Sequence, residues 1–338
     1  MSPQQKDPII FFSSDATALY KGDIFRCLAL PDGHTIQFRY AKQWMHEQIA
    51  NAPHEIKNRL GLIVFVGGND NPNIPSNQRR LKFEPVRLCT VKDAEFDYAT
   101  EQVLVILELC QFAKCRFAVP QGPSTDIFVA PGKITDYQTT NWLECVRRLQ
   151  SYYSKTLFFR LNNVLAGTEV VPPTYLDHFR VSRFNLFEET DYSLECLYYH
   201  PSGDGSLPLS MTCDSKRIEI SNTFASGAGA ALDKRFVHLR TGLLASPSER
   251  AFITFSSSTS EPPYDDPNHV QILWQIRRKP WKFWLFIGCV MLGGVGLGMV
   301  QIGTKLEAWS SASIILLLVG GGFVAAGAGL LYRYFNKT

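Results

Sequence analysis

The chain has 338 residues, of which 45% are hydrophobic and 19% charged, with a formal net charge of +3. That length holds two ordinary domains and an appendage. Past Pro280 the charged residues are Lys282, Lys305, Glu307, Arg333 and Lys337, which leaves 30 basic and 30 acidic side chains in residues 1–280. A balanced body excludes general nucleic-acid binding, which needs a basic surface to neutralise phosphates.

The first stretch, "MSPQQKDPIIFFSSD", carries an apolar run too short for the core of an export signal. The cysteines at 27, 89, 110, 115, 145, 196, 213 and 289 are scattered. Cys110 and Cys115 form a C-x4-C pair, but no second pair completes a metal site at usual spacing. No metal and no cofactor are expected, and the thiols read as free groups of a cytosolic body.

Along the chain, "DIFRCLALPDGHTIQFRY" (23–40) places two strand-like runs either side of Asp32-Gly33 and predicts a hairpin. "AKQWMHEQIANA" predicts a short helix, and "GLIVFVGG" (61–68) a buried strand. The polar loop "NDNPNIPSNQRRLK" follows. Its Arg79, Arg80 and Lys82 set three cations beside a Gly/Asn-rich turn, a combination suited to a small anionic ligand or an acidic protein partner. "FEPVRLCTV" and "QVLVILELCQF" read as two more strands. "NWLECVRRLQSYYSKTLFFRL" reads as a helix: Asn141 can cap it with Glu144 three residues on, and Trp142, Val146, Leu149 and Tyr153 share one face. Residues 1–165 are thus expected to form an α+β domain, a bent sheet or small barrel with flanking helices.

After "GTEVVPPTY" the pattern becomes mostly strand. "YSLECLYYH", "KRIEISNTF", "RFVHLRT", "RAFITFSS" and "VQILWQIRR" are separated by Gly, Pro, Ser and Asp clusters, which predicts a β-sandwich over 166–280.

Residues 281–338 read differently. Two uncharged stretches, 283–303 and 308–332, are joined by "TKLE" and predict a two-helix transmembrane hairpin. Arg277, Arg278, Lys279 and Lys282 precede the first stretch, and Arg333 and Lys337 follow the second. Positive flanks stay cytosolic, so the expectation is an integral membrane protein with both termini in the cytosol, in the inner membrane if the cell is bacterial. Trp281, Trp284, Trp309 and Tyr332 fall where rings favour the interface with lipid. Gly294 and Gly298 lie four apart, as do Gly321, Ala325 and Gly329. Such stripes let helix backbones approach closely, either within the hairpin or between copies in a homo-oligomer.

Catalytic motifs fail on inspection. The His-Glu pairs at 46–47 and 54–55 are eight apart, where a zinc helix needs four, and Pro53 interrupts them. "FASGAGAALDKR" (224–235) lacks the third glycine of a dinucleotide fingerprint and the ending of a P-loop, and no serine sits in G-x-S-x-G. No enzyme is expected. In layout alone the chain resembles bacterial defence or antiviral stress effectors that join a cytosolic sensing region to a small transmembrane hairpin. That resemblance implies a signal-responsive protein that oligomerises and disrupts the membrane as a pore. The alternative is a membrane-tethered adaptor that recruits a cytosolic protein.

Overall fold

The computed structural model describes residues 7–14, 18–68, 81–119, 127–152, 157–199, 210–221, 233–244, 246–256, 269–305, 315, 318–325 and 327. The protein is mostly β. Seven strands build a mixed sheet: β1 (Ile9–Ser14), β2 (Thr35–Ala41), β3 (Leu60–Gly67), β4 (Lys82–Asp97), β5 (Gln102–Ala118), β6 (Val129–Pro131) and β7 (Lys133–Thr139). Their spatial order is β2-β5-β4-β3-β1-β6, with β7 on the far half of β5. β1 and β3 run parallel. Every residue of β1 is buried, and β3 is buried from Gly61 onward, as expected where helices or loops cover both faces of a sheet. β4 and β5 are long and shift register at Arg87/Cys89 and again at Val91/Asp93. These bulges bend the ribbon without closing a barrel among the described residues.

Three helices flank this sheet: α1 (Ala18–Ala29), α2 (Glu47–Asn51) and α3 (Trp142–Leu149). α1 corrects the hairpin expected over 23–40, since only Thr35–Ala41 is a strand. Ile24, Phe25 and Leu28 fall on one helical face and are fully buried there, and a short apolar run cannot by itself choose between the two periods. The turn itself is present, with Gly33 at φ +79°, a conformation that suits a residue without Cβ. β2 pairs instead with β5, about seventy residues on. α3 begins as its sequence suggests: Asn141 Oδ1 accepts from the Glu144 N–H at 2.8 Å. It stops at Leu149, and "LFFRL" enters a strand.

Ten strands form the second layer pair: β8 (Phe158–Ala166), β9 (Glu169–Val170), β10 (Pro173–Leu176), β11 (Val181–Phe187), β12 (Asp191–Tyr199), β13 (Ser210–Cys213), β14 (Ile218–Ser221), β15 (Asp233–Thr241), β16 (Ser248–Ser256) and β17 (His269–Arg277). One sheet runs β10-β11-β17-β16-β13 and the other β14-β15-β12-β8-β9. Alternation drives burial: Val270, Ile272, Trp274 and Ile276 of β17 all point inward. Phe159 of β8 stacks on Phe255 of β16 across the sandwich, centroids 5.2 Å apart.

The sandwich seats against the mixed sheet along a dense seam. Phe25 of α1 packs on Phe158 and Phe159. Thr35 and Ser182 exchange two hydrogen bonds between backbone N–H and side-chain hydroxyl, at 3.1 and 2.9 Å. Arg180 forms ion pairs with Asp93 (3.3 Å) and Glu95. Met1–Asn185, Thr190–Arg240 and Arg250–Gln275 accordingly group as one compact unit.

Leu186–Glu189, Thr241–Glu249 and Ile276–Thr338 form the other unit. It contains α4 (Pro280–Lys305). Polar bonds tie its base together: Glu188 N–H to Arg277 O (2.9 Å), Leu244 N–H to Glu188 Oε2 (3.1 Å), Arg278 to Leu244 O (3.2 Å) and Lys279 Nζ to Glu189 O (2.9 Å). Arg278 and Lys279 thus make defined contacts with backbone carbonyls.

The membrane expectation is corrected here. Among the described residues no helix is long and apolar enough to cross a membrane. The second expected span, 308–332, is described only at 315, 318–325 and 327. The transmembrane hairpin, the integral-membrane localisation with its cytosolic termini, and the membrane-disrupting pore built on them are therefore withdrawn. The physical reason is that an uncharged stretch reports hydropathy alone, and hydropathy does not by itself make a membrane span.

Candidate functional site

The strongest constellation lies at the seam and begins with an arginine inside a strand. Arg87 sits at the β4 bulge and is fully buried. Its Nε donates to Cys110 O at 2.5 Å, and Nη1 to Cys27 O and Leu30 O at 2.6 and 2.8 Å. Nη2 is paired with Asp32. Cys27 and Leu30 lie at the end of α1, where the last carbonyls have no intrahelical partner. The guanidinium therefore caps α1 while fastening it to the sheet. Burial pulls its pKa down, and the Asp32 carboxylate opposes that shift.

A second arginine approaches the same carboxylate from the sandwich. Arg160 of β8 lies 3.0 Å from Asp32 Oδ1. Both guanidinium carbons lie over the Phe112 ring, 4.6 and 4.8 Å from its centroid, so the ring quadrupole attracts both cations. The Arg160 side chain is 11% exposed. Burial, reinforced by the charge of Arg87, lowers its pKa to about 10, with Asp32 and Glu195 opposing. It stays charged at neutral pH. Its Nε is buried with no acceptor among the described residues, and so is the indole Nε1 of Trp142, a residue only 3% exposed. Glu195 is already bound by Lys234 and by Asn163. Three cations (Arg87, Arg160, Lys234) thus stand against two carboxylates (Asp32, Glu195).

Asp32, Phe112, Trp142 and Arg160 line one cleft of about 460 Å³, whose rim includes Gln111 of β5 and Leu197 of β12. That volume falls in the usual range for small-molecule sites. Thr140, Asn141 and Leu143 bring the start of α3 into the same wall. The cleft has the volume of a small-ligand site and is bordered by Arg160, which shares the Asp32 carboxylate with Arg87. A larger trough of about 840 Å³ runs under the β4–β5 turn, lined by Lys42, Glu47, Phe96, Tyr98 and Glu101. Its charged lining is one lysine against two glutamates, and it contains no buried polar side-chain atom lacking a partner among the described residues.

The buried thiols are not activated. Burial pushes the thiol of Cys145 up to about 11 and that of Cys196 up to about 12, so both are protonated and inert at neutral pH.

Of the residues singled out from sequence, Arg79 and Arg80 lie outside the described residues, and Lys82 is exposed at the start of β4 opposite Gly67. Arg277 is exposed at the end of β17. Trp281, Lys282 and Trp284 fall in α4, but their side chains are outside the described set, as are Gly329, Trp309 and Tyr332 altogether. A Cβ added at Gly294, Gly298 or Gly321 would meet nothing within 4 Å, and Ala325 is exposed. The close approach in this unit is made by two other glycines: a Cβ at Gly296 would lie 2.6 Å from Gly320 O, and one at Gly320 2.7 Å from Gly296 O. Sequence reasoning passed over Arg87, Asp32 and Arg160. The available signal was an arginine inside each of two apolar runs, "PVRLC" and "FFRL", where a charge must find a partner.

No protein-family model matches the chain, and no curated protein matches it. Among solved structures, a Bacteroides ovatus GH5 xyloglucanase in complex with an XXXG heptasaccharide aligns at TM-score 0.19 and 14% identity, covering 32% of this chain and only 19% of the xyloglucanase. The Vibrio cholerae VesB protease aligns at TM-score 0.18 and 9% identity, covering 61% of this chain and 79% of that one. Superpositions this poor carry no argument about fold or function.

Proposed function

We propose that this protein is a signal-responsive binding protein without catalysis, whose β-rich body captures a small ligand in the seam cleft and whose output is association between copies. The observation that carries the reading is a ligand-sized cavity lined by Arg160 and Trp142, each of which also has a buried N–H without an acceptor among the described residues. A buried donor without an acceptor calls for a partner such as a water, an ion or a ligand. A Cβ added at Gly294, Gly298 or Gly321 would meet nothing within 4 Å, which leaves that face open to a second copy and supports the second half, while Gly296 and Gly320 make the close approach within the chain.

The test is equilibrium dialysis of the full chain against a small-molecule extract of its host cell, with mass spectrometry of what is retained and light scattering for copy number. Gln111→Trp, at the exposed rim of the cleft, blocks the entrance without touching the core. Molecules retained by the wild type and lost by the variant support the cleft as the sensing site. Identical retained sets overturn it, and a copy number indifferent to the retained molecule removes the association half.

A protein-recruiting adaptor is the second reading. It is favoured by Tyr98, 86% exposed at the lip of the larger trough with Phe96 set edge-on against it. Such a ring suits a partner surface.

A further inference from the structure

We infer that the seam cleft takes the phosphate group of a small phosphorylated molecule, and that Asp32 is the internal competitor this phosphate displaces from Arg160. The inference rests on reading the cleft as a ligand site and adds the chemistry of what enters.

Charge comes first. Asp32 and Glu195 leave one of the three local cations uncompensated, and Arg87 cannot be the free one, because its Nε, Nη1 and Nη2 are all engaged and it has no exposed surface. The surplus therefore resides on Arg160. Its planar fork matches phosphate oxygens better than a point charge would.

Donor geometry comes second. Arg160 Nε and Trp142 Nε1 are donors without acceptors among the described residues, and neither can serve a ligand group that only donates. Trp142 is the first residue of α3, an eight-residue helix whose opening turn leaves further backbone N–H groups without intrahelical acceptors. The helix dipole adds partial positive charge at that end. An acceptor-only group with several oxygens answers all of these at once.

Asp32 explains how the empty cleft remains stable. Its side chain is 58% exposed, yet one oxygen bridges both arginines. An incoming phosphate takes Arg160 from Asp32 while Arg87 keeps it, so no buried charge is stranded at any stage. The carboxylate thus sets a threshold. It repels the ligand and holds the Nη2 of Arg160 in its absence.

The experiment is calorimetric titration of the full chain with inorganic phosphate, against chloride at matched ionic strength, with thermal unfolding alongside. Wild type should bind phosphate and melt higher in it than in chloride. Arg160→Gln should weaken binding at least about tenfold, the scale of one lost charge-assisted hydrogen bond. Asp32→Asn should tighten binding several-fold even while it lowers the melting temperature. If Arg160→Gln does not fold, Arg160→Lys is read in its place and should bind more weakly than wild type, because the fork is lost. Equal effects of phosphate and chloride on wild type overturn the inference, as does full affinity in the Arg160 variant. Unchanged affinity in Asp32→Asn removes the competitor. Should Gln111→Trp lose the retained molecules while phosphate has no effect, the cleft reading stands and only the phosphate assignment fails.

Discussion

At one end of the seam Arg87 is sealed beneath the β4 bulge with every nitrogen engaged; at the other, Arg160 borders an open cleft with a donor unspent. The two share a carboxylate and an aromatic ring. Their difference is one of surroundings. Arg87 is enclosed by backbone carbonyls that need donors as much as it needs acceptors, so the arrangement is mutually satisfying and rigid. Arg160 projects from a strand of the sandwich into space that the mixed sheet does not fill. A buried charge that is fully matched marks architecture, while one matched only in part marks a place where something else fits.

Three measurements break or sharpen this contrast. The largest effect belongs to Arg87→Met, which leaves the carbonyls of Cys27, Leu30 and Cys110 without their donor. Urea unfolding should show a loss of about 3–5 kcal/mol, and a loss below about 1 kcal/mol would abolish the distinction between the two ends.

The next effect is a pH response from the closed end. His34 is buried beside Phe184, its pKa lowered to about 4 by burial despite the hydrogen bond from Nδ1 to Thr35 O, with the charge of Arg87 adding to the fall. Below its unfolded value near 6.5 the unfolded chain takes up a proton that the folded chain refuses. Stability from His34 is therefore present at neutral pH and lost as the pH falls towards 4, by about 3 kcal/mol. Asp23 works the other way: burial raises its carboxyl to about 6 against the pull of Arg26. Between pH 6 and 4 the folded state binds that proton first, and stability rises as the pH falls. The two nearly offset each other in wild type. His34→Gln should unmask the Asp23 response as a gain of about 2 kcal/mol between pH 6 and 4, read from urea midpoints. A variant that loses stability over that range contradicts the assignment.

Arg160→Gln should be the mildest, below about 1 kcal/mol in the absence of ligand, because it removes repulsion from Arg87 along with one half-exposed ion pair. The same urea series decides it. A cost equal to that of Arg87→Met would make Arg160 another structural rivet and close the case for the cleft.

Much of the β architecture was legible as pattern. Val270, Ile272, Trp274 and Ile276 alternate in the sequence and point inward in the sandwich, and the Asn141 cap could be named from Glu144 three residues on. Misreadings occurred where local pattern is degenerate. Residues 23–29 carry an apolar run equally compatible with strand and helix, and α1 forms because Ile24, Phe25 and Leu28 can be covered by the sheet below and by Phe158 and Phe159 above. At the carboxyl end, hydropathy suggested membrane spans that the described helices do not provide. The spacing of glycines drew attention to Gly294 and Gly298, while the backbone contact is made by Gly296 and Gly320.

The sequence by itself determined the balanced charge of the body, the strand-rich second half, the start of α3 and the lack of a recognisable catalytic motif, because each depends on neighbours within a few residues. Only the tertiary structure decided that β2 would pair with β5, that Arg87 would cap a helix nearly sixty residues before it, and that Arg160 would meet Asp32 across 128 positions of chain. A charge buried in a strand must find a partner, but which one it finds depends on how the layers pack, and no local periodicity encodes that choice.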